Sequence, residues 1–201
     1  MIRANFTASL TSNQGDIGIS DTSLPVTGIT TGLDIDGWLC ARNEFISEGP
    51  LLSAHGVIRF LPITFKFQYT NDERGHPRYT ISADNGNFAY TGARLEVNRN
   101  GWLGLYSTHL AGRIVDSLSP FPGVSQLRTN SWRIEALEEW DGSMDNVENI
   151  DFHLYNYNAL PIKLDIQKYV HEGFRSTVPF LRTANAGSGS LMFRLRDIKL
   201  I

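Results

Sequence analysis

The chain has little of the chemistry that cross-links or anchors small proteins. Cys40 is the only cysteine among 201 residues, which excludes an internal disulfide and a thiolate metal site. No apolar run reaches about 18 residues, the length of a membrane-spanning helix, and residues 1–10 lack the apolar region of a secretory signal. We therefore expect no membrane span, and a protein that is cytoplasmic or assembled into a particle.

Excess charge of one sign is also lacking. The sequence holds 18 Lys and Arg residues against 21 Asp and Glu residues, for a net charge of −3. A general nucleic-acid binder presents a strongly basic face to the phosphate backbone. We therefore expect no nucleic-acid partner.

The sequence motifs of common catalytic and cofactor sites are missing as well. There is no G-x-G-x-x-G, no P-loop, no G-x-S-x-G and no H-E-x-x-H. No two histidines fall at metal-ligand spacing on one predicted element. The five are His55, His76, His109, His153 and His171. We expect no metal and no cofactor, and the sequence leaves open whether the protein is an enzyme.

What the sequence does contain is hydrophobic alternation with a period of two, which indicates strands. Phe65, Phe67 and Tyr69 share one face of a run whose other face carries Lys66 and Gln68. Turn-forming clusters at 71–77, 84–87 and 98–101 separate this run from the next ones. The stretch from 63 to 107 therefore predicts a meander of four strands.

The same pattern over the rest of the chain predicts an all-β fold. We expect a single domain over residues 1–201, an antiparallel β-sandwich or closed β-barrel of roughly ten to twelve strands, with at most one or two short helices. Residues 4–10 are expected to form an edge strand, and a parity switch near residues 196–197 predicts a β-bulge. Short helical segments are predicted at 110–118 and 167–173.

The most informative group of polar residues lies between 131 and 158. Two strand-like runs, 131–140 and 150–158, flank an acidic turn. If they pair around a turn centred near Asp145, Glu139 faces Asp151 and Glu135 faces Tyr155. Tryptophan, isoleucine and phenylalanine then occupy the opposite face. The candidate ligand-binding residues on the polar face are Arg133, Glu135, Glu139, Asp151, His153, Tyr155 and Tyr157.

This polar face has two interpretations. It could be the floor of a pocket that binds a polar ligand, or that moves a proton through His153 beside a carboxylate. It could equally be the solvated face of an antiparallel sheet, decorated with cross-strand charge pairs. Both depend on the strand register, because a slip of one residue exchanges the two faces.

Three functions are compatible with these observations. The first is a non-catalytic structural or interaction module of a larger assembly, such as a virion, tail or secretion apparatus, whose partner is another protein or a second copy. The second is a β-barrel that binds a small molecule, or an acid–base isomerase or cyclase, with a polar interior pocket. The third is a glycan-binding β-sandwich that stacks sugars on exposed aromatic rings. Its candidate rings are Trp102, Tyr106, Tyr155 and Tyr157.

Overall fold

The computed structural model describes residues 2–22, 37–42, 58–84, 90–98, 100–106, 131–140, 144–171, 174–184 and 189–201. These residues form thirteen strands and one 3-10 turn, Val147–Asn149, so the prediction of an all-β fold is confirmed. The strands are β1 Phe6–Ser12, β2 Gly15–Thr22, β3 Trp38–Ala41, β4 Ile58–Pro62, β5 Phe65–Glu73, β6 His76–Ala83, β7 Arg94–Val97, β8 Leu103–Tyr106, β9 Trp132–Ala136, β10 Phe152–Tyr155, β11 Ile162–His171, β12 Phe174–Thr183 and β13 Phe193–Leu200.

Helices contribute little to this part of the chain. The described residues contain no α-helix, and hence no helix that could cross a membrane. The helix predicted at 110–118 lies outside the described residues. The helical turn predicted at 167–173 is wrong, because residues on both sides of Gly173 belong to the paired strands β11 and β12. Tyr169 and Val170 are residues of the types that favour an extended chain.

The strands join in one antiparallel sheet whose pairings close two rings. The first ring contains six strands, in the order β1, β5, β6, β9, β10 and β13. The second contains seven, in the order β1, β2, β3, β8, β7, β6 and β5. Outside the rings, β4 pairs with β2, and the β11–β12 hairpin joins β3 through β12.

Three neighbouring strands, β1, β5 and β6, belong to both rings, and the rings separate where β1 and β6 change neighbours along their length. On one edge of β1, Phe6–Ala8 pair with β5 and Leu10–Ser12 pair with β2, while β13 occupies the other edge. On one edge of β6, Tyr79 pairs with β9 and Ser82 with β7. The prediction of residues 4–10 as an edge strand is therefore wrong. Local alternation marks a strand but carries no information about its neighbours.

Aromatic side chains fill the space that the rings enclose. The Phe6 and Phe67 rings stack with centroids 4.6 Å apart, and Tyr79 packs edge-on against both. The indole nitrogen of buried Trp132 donates to the carbonyl of Leu95 at 3.0 Å, so burial leaves no unpaired donor there. The core is therefore packed with side chains from both rings.

The turn and bulge chemistry agrees with the sequence predictions. β5, β6, β7 and β8 are the four predicted strands of residues 63–107. Arg74 and Gly75, between β5 and β6, have φ values of +54° and +83°, the combination required by a two-residue type I′ turn. The register of β1 and β13 shifts between Thr7 and Ser9, and Asp197 has a φ of +54°. The β-bulge predicted near residues 196–197 is confirmed.

Candidate functional site

The candidate residues lie mainly on β9 and β10, which are paired neighbours in the six-strand ring. Side chains alternate along both strands. The inward residues Trp132, Ile134, Phe152 and Leu154 are buried. Arg133, Glu135, His153 and Tyr155 have the opposite parity and lie on the outer face. The predicted division into a polar and an apolar face is confirmed.

The predicted register is wrong by two residues. His153 pairs with Glu135 and Tyr155 pairs with Arg133. The predicted register placed Glu135 opposite Tyr155. A shift of two keeps every side chain on its face, so hydrophobic alternation cannot distinguish the two registers. The connection adds the 3-10 turn, whose buried Val147 packs in the core.

Arg133 is the centre of the outer polar face. Its guanidinium carbon lies 4.6 Å from the centre of the Tyr155 ring, and its Nη2 lies 3.3 Å from Oε2 of Glu135. The side chain is only 11% exposed, and its Nε is buried without a hydrogen-bond partner among the described residues. A guanidinium this well covered is held in one orientation by the ring and the carboxylate.

A second arginine, Arg78 of β6, lies directly opposite Arg133 on the neighbouring strand. It also has a side chain only 11% exposed, and it donates to Ser131 Oγ at 2.8 Å and forms an ion pair with Glu73. Burial and the positive charge of Arg133 lower the pKa of Arg78. Two carboxylates, Glu73 and Glu135, therefore balance the charges of the two largely covered arginines.

His153 is held by a backbone contact. Its Nδ1 lies 3.0 Å from the carbonyl oxygen of Leu191, so Nδ1 is the donor, and its ring meets Tyr155 edge-on at 6.3 Å. Only Nε2 is left for acid–base chemistry. His153 lies opposite Glu135, so the histidine is beside a carboxylate as the sequence predicts.

The remaining candidates separate from this group. Asp151 accepts two hydrogen bonds from Arg194 of β13, from Nε at 2.7 Å and Nη2 at 2.9 Å, and these bonds lower the pKa of Asp151. Glu139 is exposed beyond the end of β9, and Tyr157 is 41% exposed beyond the end of β10. The structure thus brings together Arg133, Glu135, His153 and Tyr155 of the seven.

The pairings made by Arg78 and Arg194 could not be predicted from the sequence, because Arg133 and Asp151 are distant from them along the chain. Basic residues cluster near the end of the sequence, a pattern typical of a surface for an acidic partner or of an edge strand protected by charge. β13 is not an edge, since it pairs with β1 and β10. Its outward arginines instead form ion pairs with Asp151 and Glu148.

A second aromatic cluster lies near the β11–β12 hairpin, on the face of β3 opposite to the one that packs in the main core. Trp102 packs edge-on against Trp38 at 5.5 Å and against Phe180 at 5.7 Å. The guanidinium of Arg182 lies 5.3 Å from the Trp102 ring and also pairs with Asp165. Trp102 and Tyr155, two of the predicted sugar-stacking rings, therefore each have an arginine over the ring.

A groove of about 410 Å³ runs beside the point where β1 changes neighbours. Its polar lining is formed by Ser9, Thr11, Asp16, Thr64, Arg196 and Asp197. Ser9 donates to Oδ2 of Asp197 at 3.1 Å. Across the described ranges, no three His, Cys, Asp or Glu side chains gather as metal ligands.

The candidate face is therefore a network of arginines, carboxylates and aromatic rings on the outside of a packed core. Such a network can fix strand pairing and can contact a polar partner surface. An interior pocket would need the same side chains to point inward. Compared with protein-family models, curated proteins and solved structures, the chain matches none.

Proposed function

We propose that the chain is a non-catalytic structural module, of the kind found in virions, tails or secretion apparatus, that assembles with further copies of itself. One observation carries this proposal: large apolar side chains are exposed on the strands. Ile166 of β11 is 60% exposed, Leu200 of β13 is 58% exposed, and Ile201 beside it is 60% exposed. Large apolar side chains that face water are candidates for surfaces that another protein covers.

The candidate polar face supports a structural role. Arg133 is engaged by Glu135 and Tyr155, and Asp151 is engaged by both nitrogens of Arg194. The contacts of Arg133 with Tyr155 and of Arg194 with Asp151 each join two segments of the sheet, and such contacts hold neighbouring strands in register. A ligand would have to displace these contacts.

The direct test is the native mass, measured by light scattering after size exclusion over a range of micromolar concentrations. We expect a multiple of the chain mass of 22.5 kDa, and a mass that rises with concentration if assembly is weak. A mass that stays at 22.5 kDa at every concentration would refute self-assembly.

Variants of the exposed apolar residues test whether these side chains form the interface that raises the native mass. Replacing Ile166 or Leu200 with lysine adds a charge at a position that already faces water, so folding is retained. We expect at least one of these variants to lower the native mass. The matched control is Leu137→Lys, at a residue that is 45% exposed just beyond β9. An equal response of all three variants would contradict a specific interface.

A further inference from the structure

We propose that β11 pairs antiparallel with β11 of a second copy, about a two-fold axis near Ile166, so that the two sheets become one. This inference rests on the proposed function and names the surface that self-assembly uses. Among the described residues, β11 forms a ladder only with β12, over ten consecutive pairs without a register shift. Its other edge is the candidate interface.

The hydrogen bonds at the start of β11 show which backbone groups face that edge. The carbonyl of Pro161 accepts from Ala184, while the carbonyl of Ile162 accepts from Leu191, on the side away from β12. In an antiparallel ladder, successive residues alternate between the two edges. The N–H and C=O groups of Leu164 and Ile166 therefore face away from β12, as do those of residues 168 and 170.

The two edges of the hairpin differ in a way that selects β11. β12 meets β3 at a single pair, Phe180 with Cys40, and the residue before it is Pro179. Proline has no N–H to offer, and it is a common block on strand edges. β11 has no proline between Ile162 and His171. Of the two edges of the hairpin, as far as the structure describes them, the β11 edge is therefore the one that offers an incoming strand donors and acceptors without a proline, from Leu164 onward.

The side chains at this edge suit a second copy of the same strand. With the two-fold axis at Ile166, this exposed apolar residue lies beside its own equivalent, and each covers the other. Asp165 would face Gln167 of the second copy. Its charge is already balanced by Arg182 at 3.0 Å, and Gln167 of its own chain donates to it at 2.8 Å. No repulsion between like charges opposes this register.

Two-fold pairing also ends the assembly at this edge. An isologous contact uses the same surface on both copies, so the free groups of β11 are consumed and no third chain can join there. An open strand edge would otherwise be a template for aggregation. The expected product is a discrete dimer.

Cysteine cross-linking tests the pairing directly. Ile166→Cys places two thiols on a hydrogen-bonded pair with Cα atoms about 5.5 Å apart, which is within the range that a disulfide spans. Gln167→Cys reports the register shifted so that residue 167 faces itself. Leu137→Cys is the control, at a residue that is 45% exposed. Burial raises the pKa of Cys40 to about 12, so the native thiol does not compete.

We expect mild oxidation to convert Ile166→Cys or Gln167→Cys to a dimer, on a non-reducing gel, at least tenfold faster than Leu137→Cys. The variant that reacts identifies the register. Equal rates for all three cysteines would overturn the inference. If the native mass is still a multiple of 22.5 kDa in that case, the proposed function stands and the interface lies elsewhere. A constant mass of 22.5 kDa would overturn both.

A proline variant provides a second, independent test. The N–H of Ile166 faces away from β12, so Ile166→Pro removes a donor at the free edge and leaves the β11–β12 hydrogen bonds in place. We expect Ile166→Pro to give a folded monomer, by circular dichroism and light scattering, while Ile166→Val retains the dimer. A folded Ile166→Pro variant that remains dimeric would contradict pairing through β11.

Discussion

Glu96 of β7 offers the sharpest test of the buried electrostatics. Its side chain is only 7% exposed, and this burial raises the pKa of Glu96 from 4.5 to about 7, although the nearby charge of Arg94 acts in the opposite direction. A carboxyl group whose pKa is raised by folding binds protons more tightly in the folded state. Ionisation of Glu96 therefore opposes folding.

The magnitude follows from linkage. Each unit of difference between the folded and unfolded pKa is worth about 1.4 kcal/mol, so the change from 4.5 to about 7 costs about 3 kcal/mol once both states are ionised. The cost is absent below pH 4.5, grows between pH 4.5 and about 7, and is constant above that. Glu96→Gln removes the ionisation and should therefore be more stable than the parent above pH 7.

The assay is urea unfolding of both proteins at several pH values from 4 to 8, with the difference in unfolding free energy plotted against pH. We expect that difference to rise with pH by about 3 kcal/mol in favour of Glu96→Gln. Glu139→Gln, at an exposed carboxylate, is the control and should give a flat line. A flat line for Glu96→Gln would refute the assignment of a raised pKa to burial.

Three further substitutions test separate features by urea unfolding. Asn156→Ala removes the oxygen that accepts from the N–H groups of residues 158 and 160, and should cost about 1–3 kcal/mol, whereas Asn158→Ala should cost little. Folding lowers the pKa of Asp151, so Asp151→Asn should reduce the unfolding free energy by under about 1 kcal/mol at pH values above the usual carboxyl pKa. At a pH low enough to protonate Asp151 in the folded parent, the substitution should cost nothing. Gly15→Ala places a Cβ against the carbonyl of Arg42 at a φ of +120°, so it should cost more stability than Gly75→Ala, where the space is open. For each of the three substitutions, an equal loss in the two proteins or the two pH ranges compared would refute the explanation given.

The sequence was most informative where one physical rule acts locally. Alternation with a period of two identified the buried and exposed faces of β9 and β10, since each inward residue must leave water. The parity switch near Asp197 identified the bulge, because an extra residue on one strand exchanges its faces. Such features require only a short window of sequence.

The sequence was least informative where distant segments meet. The pairing of Arg78 with Arg133 joins two strands separated by a long stretch of chain, and nothing near either residue indicates the other. The predicted helical turn at 167–173 is wrong because a glycine at the end of a segment is typical of both a helix end and a hairpin. The two-residue register error has the same origin, since both registers bury the same side chains.

The ring closed by β1 and β13 has a consequence for the order in which the chain can fold. Ser9 donates to the carbonyl of Arg196, a contact between residues 187 positions apart. The ring therefore cannot close until β13 has left the ribosome, and until then β1 lacks the neighbour on one of its edges. Contacts of this length carry a large loop-closure entropy and make folding slow. A nascent chain would spend that interval with an open strand, which is when chaperone protection matters most.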